Sequence, residues 1–283
     1  MRKIVPGIYH EKQFPGVPVY VIVTDEGALL VDCPLYEEGI EELLEMVSGY
    51  AEPRYLALLD SQPDRVLGAR GIELPIIAHD LTREHMLTWS DTFKGANNPL
   101  GGEADSIRRI TGVKTAVPEI TFSDELLLHL GSLKLHFLHQ PGPTPGAMWL
   151  TLPEKNIVFI GDAIHLSEPP FLGEADIDKW LEGLNVLRDG YLKDWQVLSS
   201  RDGIIDRDDV TAMGRFLRKV PLRIERLSEA ENPEADADAL AEELMGDFEV
   251  PPSQVERMKL RLSTGLLHLA KRLFPSEETD EAD

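Results

Sequence analysis

The chain has 283 residues, of which 42% are hydrophobic and 28% are charged. This composition is typical of a folded globular protein, and the length suits one main α/β domain with an appendage. Acidic side chains outnumber Lys and Arg by 50 to 28, and the resulting formal net charge of -22 repels phosphate backbones and anionic lipid. We therefore expect neither nucleic acid nor a membrane surface as the main partner.

The single cysteine, Cys33, excludes an intrachain disulfide and a cysteine-rich zinc site. The opening residues do not form the apolar run of a secretory signal, and no stretch approaches the roughly 20 apolar residues of a membrane-spanning helix. These features favour a cytoplasmic protein.

The first predicted elements alternate between strand and helix. Residues 19–23 and 28–31 are apolar runs on either side of an Asp-Glu-Gly turn, which predicts a β-hairpin. Apolar residues then recur at helical spacing over 40–47, and residues 55–59 form the continuous apolar run of a buried strand. A strand-helix-strand order of this kind indicates a crossover unit.

The middle of the chain continues this mixed pattern. Residues 75–78 predict a strand, and 81–112 predict a short helix near 85–89 within an irregular insert that could cover a pocket. Four short apolar runs over 126–160 are separated by turn residues, as antiparallel strands would be. An amphipathic helix follows over 177–187, and residues 195–198 predict a last strand.

The composition changes after residue 206, where two helical stretches flank an acidic segment that we interpret as a solvated linker or an exposed helix. Residues 253–274 predict one helix, started by a capping box of Ser253 and Glu256, with a leucine stripe that docks on the body or on a second subunit. The tail over 277–283 is expected to be disordered. We divide the chain into a domain over 1–205 and a helical extension over 206–283.

Several short motifs stand at the ends of the predicted strands. The opening hairpin ends in Asp32; residues 60–65 read Asp-Ser-Gln-Pro-Asp-Arg, with Gly68 behind them. Residues 140–146 read Gln-Pro-Gly-Pro-Thr-Pro-Gly, and 159–162 read Phe-Ile-Gly-Asp. This order of motifs over residues 1–203 resembles the metallo-β-lactamase superfamily. The resemblance implies an α/β fold of four layers, αββα, in which two sheets face each other and the motifs meet at one edge of the sandwich.

The resemblance also implies a metal site, but most of its ligands are replaced. Where the superfamily has His-x-His-x-Asp-His, this chain keeps only the aspartate, and the sequence places four residues there: Asp60, Gln62, Asp64 and Arg65. Pro143 stands at the histidine of the following turn, and Asp162 matches the carboxylate that bridges two metals.

Two further positions complete the implied site. Asp202 stands nearest to the last metal-binding histidine, and an alignment shifted by one residue puts Arg201 there. Asp32 matches a carboxylate that supports the metal loop from behind. His165, like His139, lies close to a motif and could replace a lost ligand from a displaced position, although a lone histidine is more often a hydrogen-bonded structural residue. His79 and His85 could reach the mouth of the pocket.

Zinc sites rely on nitrogen or sulfur ligands, and this set offers only oxygen together with a fixed positive charge. The sequence therefore predicts no zinc pair and no cofactor. The expected protein is a pseudoenzyme that binds a small-molecule ligand or a protein partner. One alternative is a hydrolase of ester, amide or thioester bonds that uses Mg²⁺, Mn²⁺ or Ca²⁺ held by Asp60, Asp64 and Asp162, because carboxylates suit hard cations. Another is an oligomeric interaction protein, such as a homodimer, that acts through its C-terminal helix.

Charge balance gives the most specific expectation. Carboxylates that converge on one pocket repel each other, and some must take up protons unless a cation is present. Arg65 cannot lose its proton and engages carboxylates through two nitrogens. We therefore expect Arg65 to bond Asp162, Asp60 or Asp64 where a metal would stand. Turn capping alone is a sufficient account of any one of these aspartates.

Overall fold

The strands come mainly from the apolar runs of the sequence. The computed structural model describes residues 1–97, 100 and 102–275, so the tail predicted to be disordered lies outside the described residues. In chain order the strands are β1 (Arg2–Val5), β2 (Ile8–Glu11), β3 (Val19–Thr24), β4 (Gly27–Val31), β5 (Pro53–Ala57), β6 (Ile76–His79), β7 (Thr92–Phe93), β8 (Ile110–Thr111), β9 (Ile120–Phe122), β10 (Glu125–Leu130), β11 (Leu133–His139), β12 (Met148–Leu152), β13 (Ile157–Phe159), β14 (Gln196–Ser199) and β15 (Gly203–Ile205).

The α-helices form where apolar residues recur at three- and four-residue steps. In chain order they are α1 (Glu37–Ser48), α2 (Pro63–Val66), α3 (Asp80–Thr88), α4 (Ile177–Arg188), α5 (Arg207–Ser228), α6 (Pro233–Met245) and α7 (Val255–Leu273). Within the described residues, none of them is both long and apolar enough to cross a membrane.

Two large sheets carry the architecture. The first has the strand order β1-β2-β3-β4-β5-β6-β9, and the second has the order β10-β11-β12-β13-β14-β15. Strands β4, β5 and β6 are parallel neighbours in the first sheet, as β13 and β14 are in the second. The predicted hairpin is present as β3 and β4, paired antiparallel from Tyr20 opposite Val31 to Thr24 opposite Gly27.

The buried side chains separate into three layers. One lies between the two sheets and includes Ile22 and Phe159. A second lies between the first sheet and α1, and a third lies between the second sheet and helices α4, α5, α6 and α7. Helix, sheet, sheet and helix therefore follow one another as four layers, which confirms the predicted αββα class with its C-terminal helices.

Some element predictions are wrong. Residues 195–198 are not the last strand, because β15 follows β14 after a short turn and pairs antiparallel with it. The turn brings the chain back at Gly203, whose backbone has a φ of 88° that a residue without Cβ adopts freely. The irregular insert over 81–112 contains the small pair β7 and β8, and strands β1 and β2 precede the predicted hairpin.

The C-terminal region packs on the body. The acidic segment is helix α6, whose acidic side chains face outward while Ala237, Ala241 and Leu244 are buried. On α7 the stripe of Leu262, Leu266 and Leu269 is fully buried within the monomer. This stripe is therefore covered by the chain's own body, which does not support an oligomer interface made by it.

Helix α7 starts differently from its prediction. It begins after a turn over Pro252–Gln254 and has no side-chain capping hydrogen bond, so the expected box of Ser253 and Glu256 is wrong. A reciprocal capping box exists instead at the start of α5, between Asp206 and Asp209. The helix passes so close to Leu172 that a Cβ added at Gly265 would lie 2.7 Å from the Leu172 nitrogen.

Candidate functional site

The candidate site lies at the carboxyl ends of the parallel strands in both sheets. Asp32 directly follows β4, the loop over 58–62 follows β5, Asp162 follows β13, and Ser200 with Arg201 follows β14. Side chains that follow parallel strands at one edge can meet in a crevice there. The guanidinium of Arg201 contacts both Asp64 and Asp162, so these two aspartates lie at the same edge, as expected.

Asp32 is the anchor between the two sheets. Its backbone has a φ of 62°, a left-handed conformation that aspartate tolerates at some cost in free energy. Its Oδ1 accepts a hydrogen bond of 3.0 Å from the Leu59 amide, which fixes the start of the site loop. Its Oδ2 accepts hydrogen bonds of 2.6 Å from Ser200 Oγ and from Arg65 Nη1. Asp32 therefore joins the first sheet to the end of β14.

Arg65 is fully buried and is surrounded by carboxylates. Its Nη1 donates to Asp32, its Nη2 donates to Asp162 Oδ1, and its Nε lies 2.8 Å from Asp60 Oδ1. Asp162 and Asp60 are two of the three partners expected from the sequence. The third expected partner, Asp64, bonds elsewhere, and Asp32 takes its place.

Arg201 supplies the second guanidinium of the cluster, and its side chain is 9% exposed. Its Nε lies 3.1 Å from both oxygens of Asp162, and its Nη2 lies 3.0 Å from Asp162 Oδ2. Its Nη1 lies 3.0 Å from Glu168 Oε1 and 3.5 Å from Asp64 Oδ2. Asp162 is thus held between two guanidinium groups, and Arg201 also neutralises two carboxylates that Arg65 does not contact.

Asp64 is closed off by the insert. The Ala104 amide donates a hydrogen bond of 2.8 Å to Asp64 Oδ1, and a Cβ added at Gly102 would lie 2.5 Å from Asp64 Oδ2. Only glycine allows the backbone to approach the carboxylate this closely. The described part of the insert therefore covers this side of the site, as the sequence predicted in general terms.

Asp202 does not join this cluster. Its carboxylate accepts hydrogen bonds from the Leu166 amide at 3.0 Å and from Ser167 Oγ at 2.9 Å. Of the two alignments left open for this segment, the one that placed Asp202 in the pocket is therefore corrected, and Arg201 is the residue that meets Asp162. Pro143 is buried in its turn. The backbone amide of Gln62 donates a hydrogen bond of 2.8 Å to Asp60 Oδ1, and the Gln62 residue lines a cavity.

The histidines have separate surroundings. His79 and His139 stack at 3.7 Å between ring centroids, and His79 bonds the backbone of Ser123 and Leu81. His165 is buried 3.8 Å from Glu168, and burial lowers its pKa although Asp162 and Glu168 act in the opposite direction. Of the histidines considered from the sequence, His85 is the one that lines the cavity described below.

The pKa values of Asp162 and Asp60 are shifted in opposite directions. Burial acts to raise the pKa of Asp162, but Arg201 and Arg65 outweigh it and hold this pKa well below its usual range. For Asp60 burial dominates: it raises the pKa to about 7 against the attraction of Arg65, and the charge of Asp162 adds to the increase. Asp60 Oδ2 is buried without a hydrogen-bond partner, in agreement with a carboxyl group that holds a proton easily.

The residues of the site can be compared with the ligands that the metal ions of the metallo-β-lactamase superfamily require. A dication needs carboxylate oxygens or imidazole nitrogens that are free to coordinate it. Here both oxygens of Asp162 and Oδ1 of Asp60 face guanidinium nitrogens, and two fixed positive charges lie among the carboxylates. Within the described residues, no group of three or more His, Cys, Asp or Glu side chains has the arrangement to hold a metal ion. The residues present do not fit a zinc pair.

A cavity of about 530 Å³ opens beside the loop that carries Asp60 and Asp64. This loop forms one wall through Ser61, Gln62 and Pro63, and α3 with the residues after it forms another. Aromatic and charged side chains from the insert, the segment after Asp162 and helix α7 complete the lining; they are Trp89, Phe93, Lys94, Phe171, Glu174 and His268.

The sequence matches the family model described as metallo-beta-lactamase superfamily over residues 69–204. This range includes Asp162 and Arg201 and begins after Arg65. Comparison with curated proteins gives no match.

Among solved structures, a metallo-beta-lactamase from Pontibacter korlensis is 19% identical with a TM-score of 0.58, and the match covers 77% of this chain and 97% of that one. The inverting sec-alkylsulfatase Pisa1 from Pseudomonas sp. is 14% identical with a TM-score of 0.70; the match covers 98% of this chain and 50% of that one. A metallo-beta-lactamase family protein from Thermus thermophilus is 18% identical with a TM-score of 0.61, covering 96% and 95%. The protein has the metallo-β-lactamase fold.

The first prediction concerns Arg65. Replacing it with Met leaves Asp32, Asp60 and Asp162 buried without their shared cation, and we expect a loss of about 3–5 kcal/mol in the free energy of unfolding, the usual cost of removing one partner of a buried ion pair. Urea unfolding at neutral pH measures it. Arg223→Met, which removes a largely exposed ion pair with Glu243, is the control and should cost less than about 1 kcal/mol. Equal losses in the two variants would contradict this view of Arg65.

The second prediction concerns pH. The folded protein holds a proton on Asp60 up to about pH 7, whereas the unfolded chain releases it near its ordinary pKa of about 3.9. The stability contributed by this group is therefore present at low pH and is lost as the pH rises through about 7. Asp60→Asn has no carboxyl group to titrate, so this fall in stability with rising pH is absent from the variant. Between about pH 5 and 8, the unfolding free energy of this variant should gain at least about 1 kcal/mol relative to the parent protein.

The control for this measurement is Asp178→Asn on the exposed face of α4, which should give no such trend. Asp162 does not interfere, because its lowered pKa keeps it ionised throughout this range. A difference between Asp60→Asn and the parent protein that stays constant with pH would show that Asp60 is already ionised in the folded state.

Proposed function

We propose that this protein binds a small-molecule ligand in the cavity beside the site loop and works without the metal chemistry of its fold, as a pseudoenzyme in that respect. The observation that carries the proposal is the placement of the Arg65 and Arg201 guanidinium groups among the carboxylates. The positive charge that a metal pair would supply is thereby built into the chain. The cavity next to it stays large enough for a ligand.

The lining indicates the kind of ligand. A volume of about 530 Å³ lies in the usual range for small-molecule sites. Trp89, Phe93 and Phe171 offer flat apolar surfaces, and Lys94 offers a positive charge. We infer a ligand with an aromatic or otherwise apolar body and an anionic or strongly polar end. The cytoplasmic location expected from the sequence remains part of this proposal.

The two alternatives have less support. A hydrolase that uses Mg²⁺, Mn²⁺ or Ca²⁺ would need Asp60, Asp64 and Asp162 to turn their oxygens toward one ion, and Asp162 faces two guanidinium groups instead. An interaction protein that uses the leucine stripe of α7 would need that stripe uncovered, and it is buried.

The test uses 8-anilinonaphthalene-1-sulfonate, an aromatic anion that matches the cavity. Titration of the folded protein, in the presence of EDTA, should give saturable fluorescence with one dye per chain. Trp89→Ala removes one aromatic wall and should weaken binding about tenfold, a loss of about 1.4 kcal/mol. Tyr191→Ala removes an exposed aromatic ring elsewhere and is the control, with unchanged binding expected.

Melting curves of both variants check that the dye reports on folded protein. Absence of saturable binding to the parent protein would overturn the proposal. Equal dye binding by the parent protein and Trp89→Ala would also overturn it, because the dye would then occupy another surface.

A further inference from the structure

Three polar side chains of the cavity lie in series, and none of them belongs to the Arg65 cluster. Ser61 Oγ lies 3.0 Å from His85 Nδ1, and His85 Nε2 lies 3.7 Å from Glu174 Oε1. Ser61 comes from the site loop, His85 from α3, and Glu174 from the segment that follows Asp162. All three line the same cavity. Serine, histidine and carboxylate thus meet in the order that nucleophilic catalysis uses.

The surroundings favour one tautomer of His85. A proton on Nε2 faces the negative charge of Glu174, and this leaves the Nδ1 lone pair free to accept the hydroxyl proton of Ser61. The distance of 3.7 Å is longer than a hydrogen bond, so Glu174 acts on the ring through its charge. The ring of Trp89 packs edge-on against His85 with 5.8 Å between centroids and limits its rotation.

Ser61 is placed as a nucleophile would be. The residue is only 4% exposed, and it forms part of the cavity wall, so a ligand bound in the cavity lies beside it. The next residue, Gln62, also lines the cavity, and its side-chain amide can donate a hydrogen bond to an oxygen that becomes negative during reaction.

We propose that Ser61 is a catalytic nucleophile that accepts the acyl group of a small carboxylic ester, with His85 as general base and Glu174 as the carboxylate that orients and stabilises the charged ring. Catalysis then proceeds without metal, in a cavity whose lining does not include Arg65 or its carboxylate partners. The apolar lining selects an ester whose acyl or alcohol part is aromatic or aliphatic. This proposal rests on the proposed function only in using the same cavity.

The steps balance without a co-reactant other than water. Ser61 Oγ bonds to the carbonyl carbon while its proton moves to His85 Nδ1, and the bond from that carbon to the alcohol oxygen then breaks as the alcohol takes this proton. Water, deprotonated by the same nitrogen, attacks the acyl-serine. The carboxylic acid leaves, and the proton returns to Ser61.

The experiment uses an alkyl fluorophosphonate, which reacts with activated serines by forming an oxygen–phosphorus bond and releasing fluoride. Intact mass and peptide mapping of the full chain, with EDTA present, should find one label on Ser61. Ser61→Ala should take up none. His85→Gln should slow labelling about a hundredfold, as expected on loss of a general base, and Glu174→Gln about tenfold.

Matched controls are Ser48→Ala, which removes an exposed hydroxyl that bonds the Leu44 carbonyl in helix α1, and His136→Gln, which removes a half-buried histidine beside Glu125. Both should be labelled at the rate of the parent protein. The side chain of His85 is 37% exposed, so we expect His85→Gln to fold. If Ser61→Ala does not fold, the labelling rate of His85→Gln tests the proposal.

An unlabelled parent protein, a label on another residue, or equal rates for the parent protein and His85→Gln would each overturn the proposal. Dye titration of the parent protein, set beside its labelling, separates the two proposals. Retained dye binding without labelling of the parent protein rejects the nucleophile alone. Loss of saturable dye binding by the parent protein rejects the ligand site itself.

Discussion

A fully buried guanidinium carries a large desolvation cost, and carboxylates placed around it compensate that cost most directly. The carboxylates around Arg65 come from different places: Asp32 from the end of β4 in the first sheet, and Asp162 from the segment after β13 in the second. The set of carboxylates around Arg65 is therefore complete only when the two sheets face each other. This requirement fixes how the sheet edges meet.

The second guanidinium extends this network toward the insert and the C-terminal helices. Arg201 joins Asp162 to Asp64 and Glu168. Arg261 of α7 is buried close by and donates to the carbonyls of Pro169 and Leu100. The terminal helix thus contributes a charge and two backbone contacts to the same edge of the sandwich. Metal binding and the internal cations would compete for the same carboxylate oxygens, which supports our proposal that fixed side chains take the place of an exchangeable ion.

Much of the fold could be predicted from the sequence, because apolar periodicity and the order of turn motifs report on burial within each element. The meeting of Asp64 and Asp162 at one edge, and the pairing of Arg65 with Asp162 and Asp60, followed from motif order and charge balance. The choice between Arg201 and Asp202 did not, because the turn between β14 and β15 decides which of two adjacent side chains faces inward. No local pattern gives that direction.

Contacts between residues that are far apart in the sequence could not be predicted either. Ser61 and His85 are 24 positions apart, and their hydrogen bond depends on how α3 lies against the site loop. Glu168 and Arg261 gave no signal, because a charged residue in an apolar helix or an ordinary loop is usually solvated. The capping box at α7 failed for a local reason: the backbone over Pro252–Gln254 forms its own turn before the helix begins.

The central claim is that Arg65 and Arg201 occupy the place of the metal pair. It is tested most directly by elemental analysis of the full chain, expressed in zinc-supplemented medium and purified without chelator. The account predicts zinc, manganese and iron well below one equivalent per chain, and no zinc uptake on titration at neutral pH. One or two equivalents that survive dialysis and are lost in Asp162→Asn would contradict it.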